Sequence, residues 1–450
     1  MAPPIDALAL VRAWSAAAGH GVFLGGSGGP VFARPEEGVL VLGPPRSGKT
    51  SSLVVPNVLA ACGPVVSAST KRDVLDATWR ARARAGRCMV FDPGGEVIPP
   101  GGVEAIGWSP LSSSRTFDGA VLVVEAMVGA TRPDGDVESR HWTERASALL
   151  APLFHAAALE GAPMREVVAW VDRREASPAV CILARRDCEL AGDVLAGIKR
   201  TEARELSGIW STASSVLSAY RTEAALASTE RAPFDAAAFV RSGSTLYVCA
   251  TGRRQGHAAP LVAGLVDDVR SAAYARRLEV PVLLALDELA NIAPLRDLPA
   301  LVSEGGSQGL VTLACLQDLS QARARWGVQA DGFLSLFGTK LLMPGIGDVR
   351  TLEAVSALCG EHDVPVRSTS GGPRWAPLLG GRGPTTTVST RRERRSPVDA
   401  LARGVPGMMF GLSSRGFGYL GLAPFFRQSP WREAAAISMT RPAQRLGRER

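Results

Sequence analysis

The sequence predicts an α/β protein with a mainly parallel sheet that is interrupted by an all-α insertion. Short, almost wholly apolar segments recur near both ends of the chain, and most are followed by segments with helical periodicity. That alternation is typical of a parallel sheet covered by helices. Between about Ser112 and Arg231 the apolar segments mostly disappear, and alanine, arginine, glutamate and leucine dominate. We therefore divide the chain into residues 1–111, a helical insertion domain at 112–235, and residues 236–450.

The composition is that of a globular protein without disulfides. Of 450 residues, 46% are hydrophobic and 21% are charged, which is enough apolar surface for two or three domains. The seven cysteines form no C-x-x-C pair, so we expect buried, reduced thiols and no zinc site, and the histidines show no metal-ligand spacing. No signal peptide or bilayer-spanning apolar segment is visible. We expect a cytoplasmic protein, or one peripheral to the inner face of the cell membrane.

The first functional pattern follows the first core strand. Residues 1–37 predict a short helix and a small β-hairpin, and Val39 to Leu42 predict a buried strand. Residues 43–50 then match the phosphate-binding pattern G-x-x-x-x-G-K-[ST]. In such a loop backbone N–H groups surround a polyphosphate, Lys49 reaches the β- and γ-phosphates, and the Thr50 hydroxyl coordinates Mg²⁺. The predicted nucleotide-binding residues are Gly43, Pro44, Pro45, Arg46, Ser47, Gly48, Lys49, Thr50 and Ser51.

Strands and helices continue to alternate after this loop. A helix is predicted from Lys49 to Ala61, with its positive N-terminal end facing the anion. A strand at Pro64 to Ala68, a helix at Thr70 to Ala85 and a strand at Arg87 to Phe91 follow. Asp92 comes at the end of the last strand, where parallel sheets bind ligands, although an aspartate there also starts turns.

The insertion shows apolar residues at helical spacing, most clearly in residues 141–161 and 205–228. Its tryptophans, Trp142, Trp170 and Trp210, are expected in the core of the insertion and not at a ligand.

A second functional pattern appears where the alternation resumes. A strand at Ser244 to Ala250 and a helix across Ala258 to Arg276 precede an apolar strand from Val280 to Leu286, which ends in Asp287 and Glu288. A strand this apolar is buried on both faces, and a buried charge at its end requires a partner such as Mg²⁺. We expect Asp287 to hold the metal through its water shell and Glu288 to orient or deprotonate the attacking water. An ordinary strand followed by a helix cap is the alternative.

The remaining segments complete the sheet and add a basic region. Gln317 follows a strand at Gly309 to Leu316 and is expected to hydrogen-bond the γ-phosphate or its water, with helix capping as the alternative. Residues 366–397 are rich in glycine, serine, threonine, proline and arginine, which predicts a mobile basic loop. Its arginines could follow a phosphate backbone or simply be solvated. Further strands are predicted at Gly338–Met343, Gly407–Leu412 and Phe417–Leu422, before an arginine-rich tail.

These motifs, in this order, resemble those of the TraG/TraD-type coupling ATPases of conjugation and type IV secretion. The resemblance rests on GPPRSGKT, on STKRD at 69–73, FDP at 91–93 and WSP at 108–110, and above all on the block at 283–327. It implies a RecA-like P-loop NTPase fold that binds ATP and Mg²⁺. It assigns Lys49 and Thr50 to the phosphate loop, Asp287 and Glu288 to the Walker B motif, and Gln317 to the third motif.

The resemblance also implies partners and an assembly. Such proteins form hexameric rings that couple ATP hydrolysis to the movement of single- or double-stranded DNA, or of protein, toward a secretion channel. Their all-α domain helps to recruit the relaxase–DNA complex, the relaxosome. Family members usually begin with transmembrane helices, so this chain is expected to use a separate membrane-anchoring partner or to work away from the envelope.

A second departure concerns the activating arginine. Many relatives carry a basic residue before the strand of the third motif, whereas residues 304–309 here read EGGSQG. We expect a trans-activating arginine from elsewhere, such as Arg323 or Arg325, or slow hydrolysis. The leading hypothesis is a DNA-translocating ATPase; the alternatives are an FtsK- or HerA-like double-stranded DNA translocase and a nucleotide-gated recruitment adaptor with little ATPase activity.

Overall fold

The computed structural model of this chain describes residues 6–131, 137–231, 233–250, 255–370 and 385–439. Within these residues the strands are β1 (Phe23–Gly26), β2 (Pro30–Phe32), β3 (Val39–Leu42), β4 (Val65–Ser69), β5 (Cys88–Phe91), β6 (Val103–Ala105), β7 (Thr245–Cys249), β8 (Val282–Leu286), β9 (Leu310–Leu316), β10 (Thr339–Leu342), β11 (Glu361–Ser370), β12 (Thr385–Arg394), β13 (Met408–Ser413) and β14 (Gly416–Gly421).

The central sheet has twelve strands in the order β2-β1-β14-β13-β10-β3-β9-β8-β4-β7-β5-β6. The eight strands from β10 to β6 all pair in parallel, and most of the connections between them contain helices that cover the faces of the sheet. The other four form an antiparallel extension beyond β10. The predicted mainly parallel α/β fold is confirmed.

Helices cover both faces of this sheet. The α-helices are α1 (Ala7–Ala17), α2 (Val55–Ala60), α3 (Asp73–Arg82), α4 (Phe117–Thr131), α5 (Val137–Glu160), α6 (Met164–Arg173), α7 (Ser177–Arg185), α8 (Glu189–Lys199), α9 (Ala203–Val216), α10 (Glu223–Glu230), α11 (Ala236–Phe239), α12 (Gln255–Tyr274), α13 (Leu289–Ile292), α14 (Leu298–Gly305), α15 (Leu319–Trp326), α16 (Phe333–Leu336), α17 (Val349–Leu358), α18 (Val398–Arg403) and α19 (Trp431–Met439). Shorter 3₁₀ turns lie at Pro110–Arg115, Leu217–Arg221, Gly306–Gln308 and Gly327–Gly332. Within the described ranges, no helix combines the length and apolar character that a membrane span needs.

The central strands are buried on both faces, as their unbroken apolar sequences predict. In β3, Val39 and Val41 face a core that α1, α2, α3 and α19 cover, whereas Leu40 and Leu42 face the core on the other side. All four side chains are fully buried. Because alternate residues of a strand point to opposite faces, the apolar run builds two cores at once.

Helices α4 to α11 lie between β6 and β7, in the segment where the sequence predicts an insertion. They share one core with the sheet face under α12, and Trp108 Nε1 donates a hydrogen bond to Asp268 Oδ2 of α12 over 2.6 Å. Trp170 and Trp210 are buried, while Trp142 is half-buried against Gly208. The division into domains stays a prediction.

The expectation of a mobile loop at 366–397 is wrong for its described residues. Strands β11 and β12 pair antiparallel over ten residue pairs, from Glu361 with Arg394 to Ser370 with Thr385. The segment contains valine and threonine at many positions, and these β-branched residues favour strands despite the polar composition. Residues 371–384 of the predicted loop, and 440–450 of the arginine-rich tail, lie outside the described residues.

Two smaller expectations also need correction. The helix predicted from Lys49 begins as a π-helical turn at Thr50–Val54 and becomes α-helical only in α2. All seven cysteines are free, but Cys181 on α7 is exposed, so not every thiol is buried.

Candidate nucleotide-binding site

The candidate site lies where four neighbouring parallel strands end. Strands β3, β9, β8 and β4 are adjacent in that order. The residues at or directly after their carboxyl ends are Gly43, Gln317, Asp287 and Ser69. Open parallel sheets bind ligands at this edge, where the ends of strands that are distant in sequence lie side by side. The structure therefore brings the phosphate loop and both predicted carboxylates to one edge.

The loop after β3 has the backbone shape that its glycines predict. Gly48 has φ +98°, and Arg46, although not a glycine, has φ +65°. A Cβ on Gly43 would lie 2.6 Å from Met343 Cβ and 2.8 Å from Ser47 Oγ, so only glycine fits there. The Gly43 N–H donates to the Leu316 carbonyl of β9 over 3.1 Å, which fixes the start of the loop to the neighbouring strand.

Polar groups of the loop are placed for an anion. Lys49 Nζ donates to the backbone carbonyls of Gly43 and, over 3.0 Å, of Pro44, which holds the ammonium at the loop. The buried Ser47 Oγ has no hydrogen-bond partner among the residues that the structure describes. A buried hydroxyl without a partner is costly, and a phosphate oxygen would supply one.

The loop and the end of β8 meet through hydrogen bonds. Thr50 Oγ1 lies 2.9 Å from both carboxylate oxygens of Asp287, and Ser69 Oγ donates to Asp287 Oδ2 over 3.2 Å. Asp287 is only 7% exposed. Burial raises its pKa and the charge of Glu288 adds to this, while the hydrogen bonds from Thr50 and Ser69 and the charge of Lys49 oppose it.

These groups fit a magnesium ion. A carboxylate and a hydroxyl are hard oxygen donors of the kind that Mg²⁺ prefers, and they lie within hydrogen-bond distance of each other. Thr50 and Asp287, which the sequence analysis assigns to the metal, would hold it here, beside the loop that would hold the phosphates.

Glu288 and Gln317 follow the ends of β8 and β9, which are neighbouring strands of the sheet. Glu288 is half-buried, and its Oε2 accepts a 2.9 Å hydrogen bond from Asn291 Nδ2, which orients the carboxylate. Gln317 follows the strand between β3 and β8, and its backbone N–H donates to Gln321 Oε1. Asp318, not Gln317, caps α15. The predicted contact of Gln317 with a phosphate stays a prediction.

Asp92 and Ser69 also lie at this edge of the sheet, and the sequence alone does not show what either residue contacts. Asp92 accepts hydrogen bonds from the N–H groups of Gly94 and Val97, at 2.8 and 2.6 Å, so it shapes a turn. Ser69 was not predicted as a site residue. The only signal for it was its position at the end of a strand in the segment STKRD, because its contact with Asp287 depends on strand order.

Neither Arg323 nor Arg325 is free to extend toward a neighbouring subunit. Arg323 forms an ion pair with Asp348 over 2.8 Å, with both side chains largely buried. Arg325 donates to the backbone carbonyls of Gly129 and Ala130 at the end of α4. Both arginines therefore serve contacts within the chain.

Comparison with known proteins agrees with these motifs. Residues 281–402 match the family model described as the TraM recognition site of TraD and TraG. The bacterial conjugative coupling protein TrwBdeltaN70, in its unbound monoclinic form, superposes with a TM-score of 0.69 at 19% identity, covering 93% of each chain. A search of curated protein sequences found no match.

Two nucleotide complexes of the plasmid coupling protein TrwB are similar as well. The complex with the ATP analogue ADPNP has a TM-score of 0.66 at 20% identity, covering 87% of this chain and 86% of that one. The complex with ADP and Mg²⁺ has a TM-score of 0.66 at 20% identity, covering 89% and 88%. The RecA-like P-loop fold is thus confirmed, as is the resemblance to TraG/TraD-type coupling proteins that the motifs predicted.

Proposed function

We propose that this chain is an ATP-driven coupling protein that recruits DNA, or a DNA–protein complex, and moves it toward a type IV secretion or conjugation channel. The observation that carries the proposal is the contact of Thr50 with Asp287, which joins the phosphate loop to the Walker B strand. The match of residues 281–402 to TraD and TraG supports a coupling protein over an FtsK- or HerA-like translocase.

The cofactors of the proposal are ATP and Mg²⁺. TrwB, whose fold this chain shares, has been solved with an ATP analogue and with ADP and Mg²⁺. When bound, Mg²⁺ would neutralise negative charge on the β- and γ-phosphates. Thr50 and Asp287 would hold the ion, and the residues from Gly43 to Ser51 would surround the phosphates.

The protein's own groups then have separate tasks in hydrolysis. Lys49 would exchange the carbonyls of Gly43 and Pro44 for phosphate oxygens, because an anion is the better partner for an ammonium. Glu288, oriented by Asn291, would position and deprotonate the attacking water. Gln317 would contact the γ-phosphate or this water from the intervening strand.

The assembly and partners follow from the same proposal. The working form would be a homo-hexamer with nucleotide at subunit interfaces and single- or double-stranded DNA in its channel. The helical segment between β6 and β7 would select the cargo, namely the relaxase and its relaxosome. The partners at the membrane would be type IV secretion components and a separate anchoring protein.

Two substitutions test the enzyme activity. Lys49→Ala should abolish ATP binding and turnover, because it removes the ammonium that the loop holds for the phosphates. Glu288→Gln should keep ATP binding but lower turnover by about 10²- to 10⁴-fold, since it removes only the base. Binding is measured with labelled ATP and Mg²⁺, and turnover as phosphate release with and without DNA.

Lys199→Ala is the matched control, because Lys199 is an exposed lysine at the end of α8. It should behave as the wild type in both assays. Unchanged turnover in Lys49→Ala would contradict the proposal.

A recruitment adaptor with little turnover is the second candidate. The engagement of Arg323 and Arg325 within the chain favours it, because it leaves no evident activating arginine among them. DNA-stimulated turnover in the wild type would exclude the adaptor, whereas ATP binding without turnover would support it.

A further inference from the structure

Strands β11 and β12 form a hairpin, here called the arm, that stands apart from the central sheet. They make up a separate two-stranded sheet. The described side chains at 361–369 and 386–394 are exposed, with the single exception of the half-buried Val364. An isolated two-stranded hairpin is at best marginally stable in water. The arm therefore has the character of a structure that another strand or surface completes.

The outer edges of β11 and β12 differ in the backbone hydrogen-bond donors that they present. Pro365 of β11 pairs with Thr390, and because proline has no N–H, this must be a non-hydrogen-bonded pair. Pro365 thus interrupts the row of donors along the outer edge of β11, a common way of protecting an edge strand. Strand β12 contains no proline or glycine, so its outer edge keeps every backbone donor and acceptor.

The pairing register shows which β12 amides point outward. Since pairs alternate along an antiparallel ladder and Thr390 is in a non-hydrogen-bonded pair, the N–H groups of Val388 and Arg392 also point away from β11. These three groups, with the carbonyls beside them, present a ladder to which an extended segment can add.

The positive charge at the end of β12 favours an acidic segment at this edge. Its last four residues carry Arg391, Arg392 and Arg394 against the single acid Glu393, and the side chains of Arg391 and Arg392 are 75% and 80% exposed. Arg392 forms an ion pair with Asp363 of β11 over 3.8 Å and Arg391 lies 4.0 Å from Glu393, but three arginines against one acid leave this end of β12 positively charged. A second copy of β12 would double the excess of arginine over acid along the joined strands, so an acidic segment complements this edge better than a second copy does.

We propose that the outer edge of β12 binds an extended, acidic segment of a partner protein by β-strand addition. Main-chain hydrogen bonds would supply the affinity, and the arginines would select acidic side chains. This deepens the proposed function, because the arm lies within the segment that matches the TraM recognition site of TraD and TraG.

Substitutions that block one edge at a time test the proposal. Thr390→Pro removes an outward N–H of β12 while leaving the ladder to β11 intact. Thr369→Pro is the matched control. Thr369 pairs with Thr386, four residues along each strand from the pair Pro365–Thr390, so this pair is also non-hydrogen-bonded and the Thr369 N–H points outward from β11. Arg391→Glu with Arg392→Glu reverses the charge of the binding edge.

The probe is a synthetic ten-residue peptide of alternating Glu and Thr, compared with one of alternating Lys and Thr. We expect the full-length wild type to bind the acidic peptide only. Thr390→Pro and the charge reversal should weaken binding by at least tenfold, and Thr369→Pro should not. Hydrogen exchange should show protection of the Val388, Thr390 and Arg392 amides when the acidic peptide binds.

Three results would overturn the proposal: no binding of the acidic peptide, equal binding of the lysine peptide, or equal loss in Thr369→Pro. Protection of the same amides by duplex DNA in place of the peptide would assign the arm to nucleic acid and also overturn it. Binding is measured without nucleotide, and all arm variants should keep wild-type ATP turnover. A failure here is therefore distinct from a failure of the ATPase proposal.

Discussion

At the scale of single residues, the carboxylate of Asp287 is held by two hydroxyls from different parts of the chain. Thr50 belongs to the phosphate loop and Ser69 to the end of β4. The hydrogen bonds help a buried carboxylate to stay ionised although burial raises its pKa. Because its hydroxyl donates to Asp287, we expect Ser69 to position this carboxylate.

Removing the Ser69 hydroxyl should therefore weaken the metal site. We expect Ser69→Ala to lower Mg²⁺ affinity, and with it ATP turnover at limiting Mg²⁺, by about 10- to 100-fold, as is typical when a partner of a metal ligand is lost. Turnover measured across a Mg²⁺ titration checks this. Saturating Mg²⁺ should recover most of the activity.

Ser67→Ala is the matched control, two residues earlier in β4. The Ser67 hydroxyl is buried but has no hydrogen-bond partner in the described part of the chain, so its removal should leave the Mg²⁺ titration unchanged. An unchanged titration in Ser69→Ala would show that Ser69 does not position Asp287.

Arg82 is a charged residue that the fold places in the core, although arginine is usually exposed. It is fully buried, and its guanidinium donates to the carbonyls of Ala61, Gly63 and Gly243 and to Thr245 Oγ1. Burial lowers its pKa to about 10, which still leaves it charged at neutral pH. A cation without a carboxylate partner is tolerated there because backbone carbonyls satisfy its donors.

At the scale of elements, α12 joins the helical segment to the sheet. It packs against α4, and a cavity of about 460 Å³ lies between α12, α14 and helices α4, α5 and α8. Asp267 on the wall of this cavity is buried and pairs with Arg270 over 2.6 Å. Burial raises the pKa of Asp267 to about 6, the charge of Arg270 opposes this, and Asp268, Asp297 and Glu125 add to it.

This pKa predicts how stability depends on pH. A carboxyl with a raised pKa stabilises the fold fully below its unfolded value of 3.8, and that stability is lost as pH rises through about 6. Relative to Asp267→Asn, which does not ionise, the wild type should lose about 2 kcal/mol of unfolding free energy between about pH 4.5 and pH 8.

Denaturant unfolding of both proteins at the two pH values checks the difference. Asp399→Asn is the control, because Asp399 is also paired with an arginine, Arg403, but is exposed. This variant controls for the loss of a carboxylate that pairs with an arginine at the surface. A constant difference for Asp267→Asn would show that the buried carboxyl does not titrate as expected.

At the scale of the whole molecule, the origin of an activating arginine would decide how subunits of the proposed hexamer cooperate. An arginine acting in trans is worth about 10³- to 10⁵-fold in turnover where it is known. The contacts of Arg323 with Asp348, and of Arg325 with the end of α4, lead us to expect a structural role for both.

Replacing each of these arginines with alanine should therefore lower DNA-stimulated turnover by less than about tenfold. Arg325→Ala should instead lower the melting temperature, because the carbonyls of Gly129 and Ala130 lose their donor. Turnover at fixed protein concentration and thermal unfolding separate the two effects, with the exposed Arg165→Ala as control. A loss of 10³-fold without a change in melting temperature would identify the replaced arginine as the activator.

The sequence by itself determined the mainly parallel α/β fold and was enough to predict the nucleotide-binding residues. Loop 43–50 and the pair Asp287–Glu288 are short motifs of consecutive residues, so they can be recognised without knowing which distant residues they contact. The same local reading missed the strands of the arm, because polar composition outweighed the β-branched residues in β11 and β12.

The tertiary structure alone decided which strand ends are neighbours. It placed β9 between β3 and β8, brought Ser69 to Asp287 across 218 residues, and buried Arg82 under backbone carbonyls. These contacts depend on the order of the strands and on the long connections between them. Neither can be predicted from the local periodicity of hydrophobic residues. Local chemistry was therefore enough to predict the candidate site, whereas contacts across the sheet decided how its carboxylate is held.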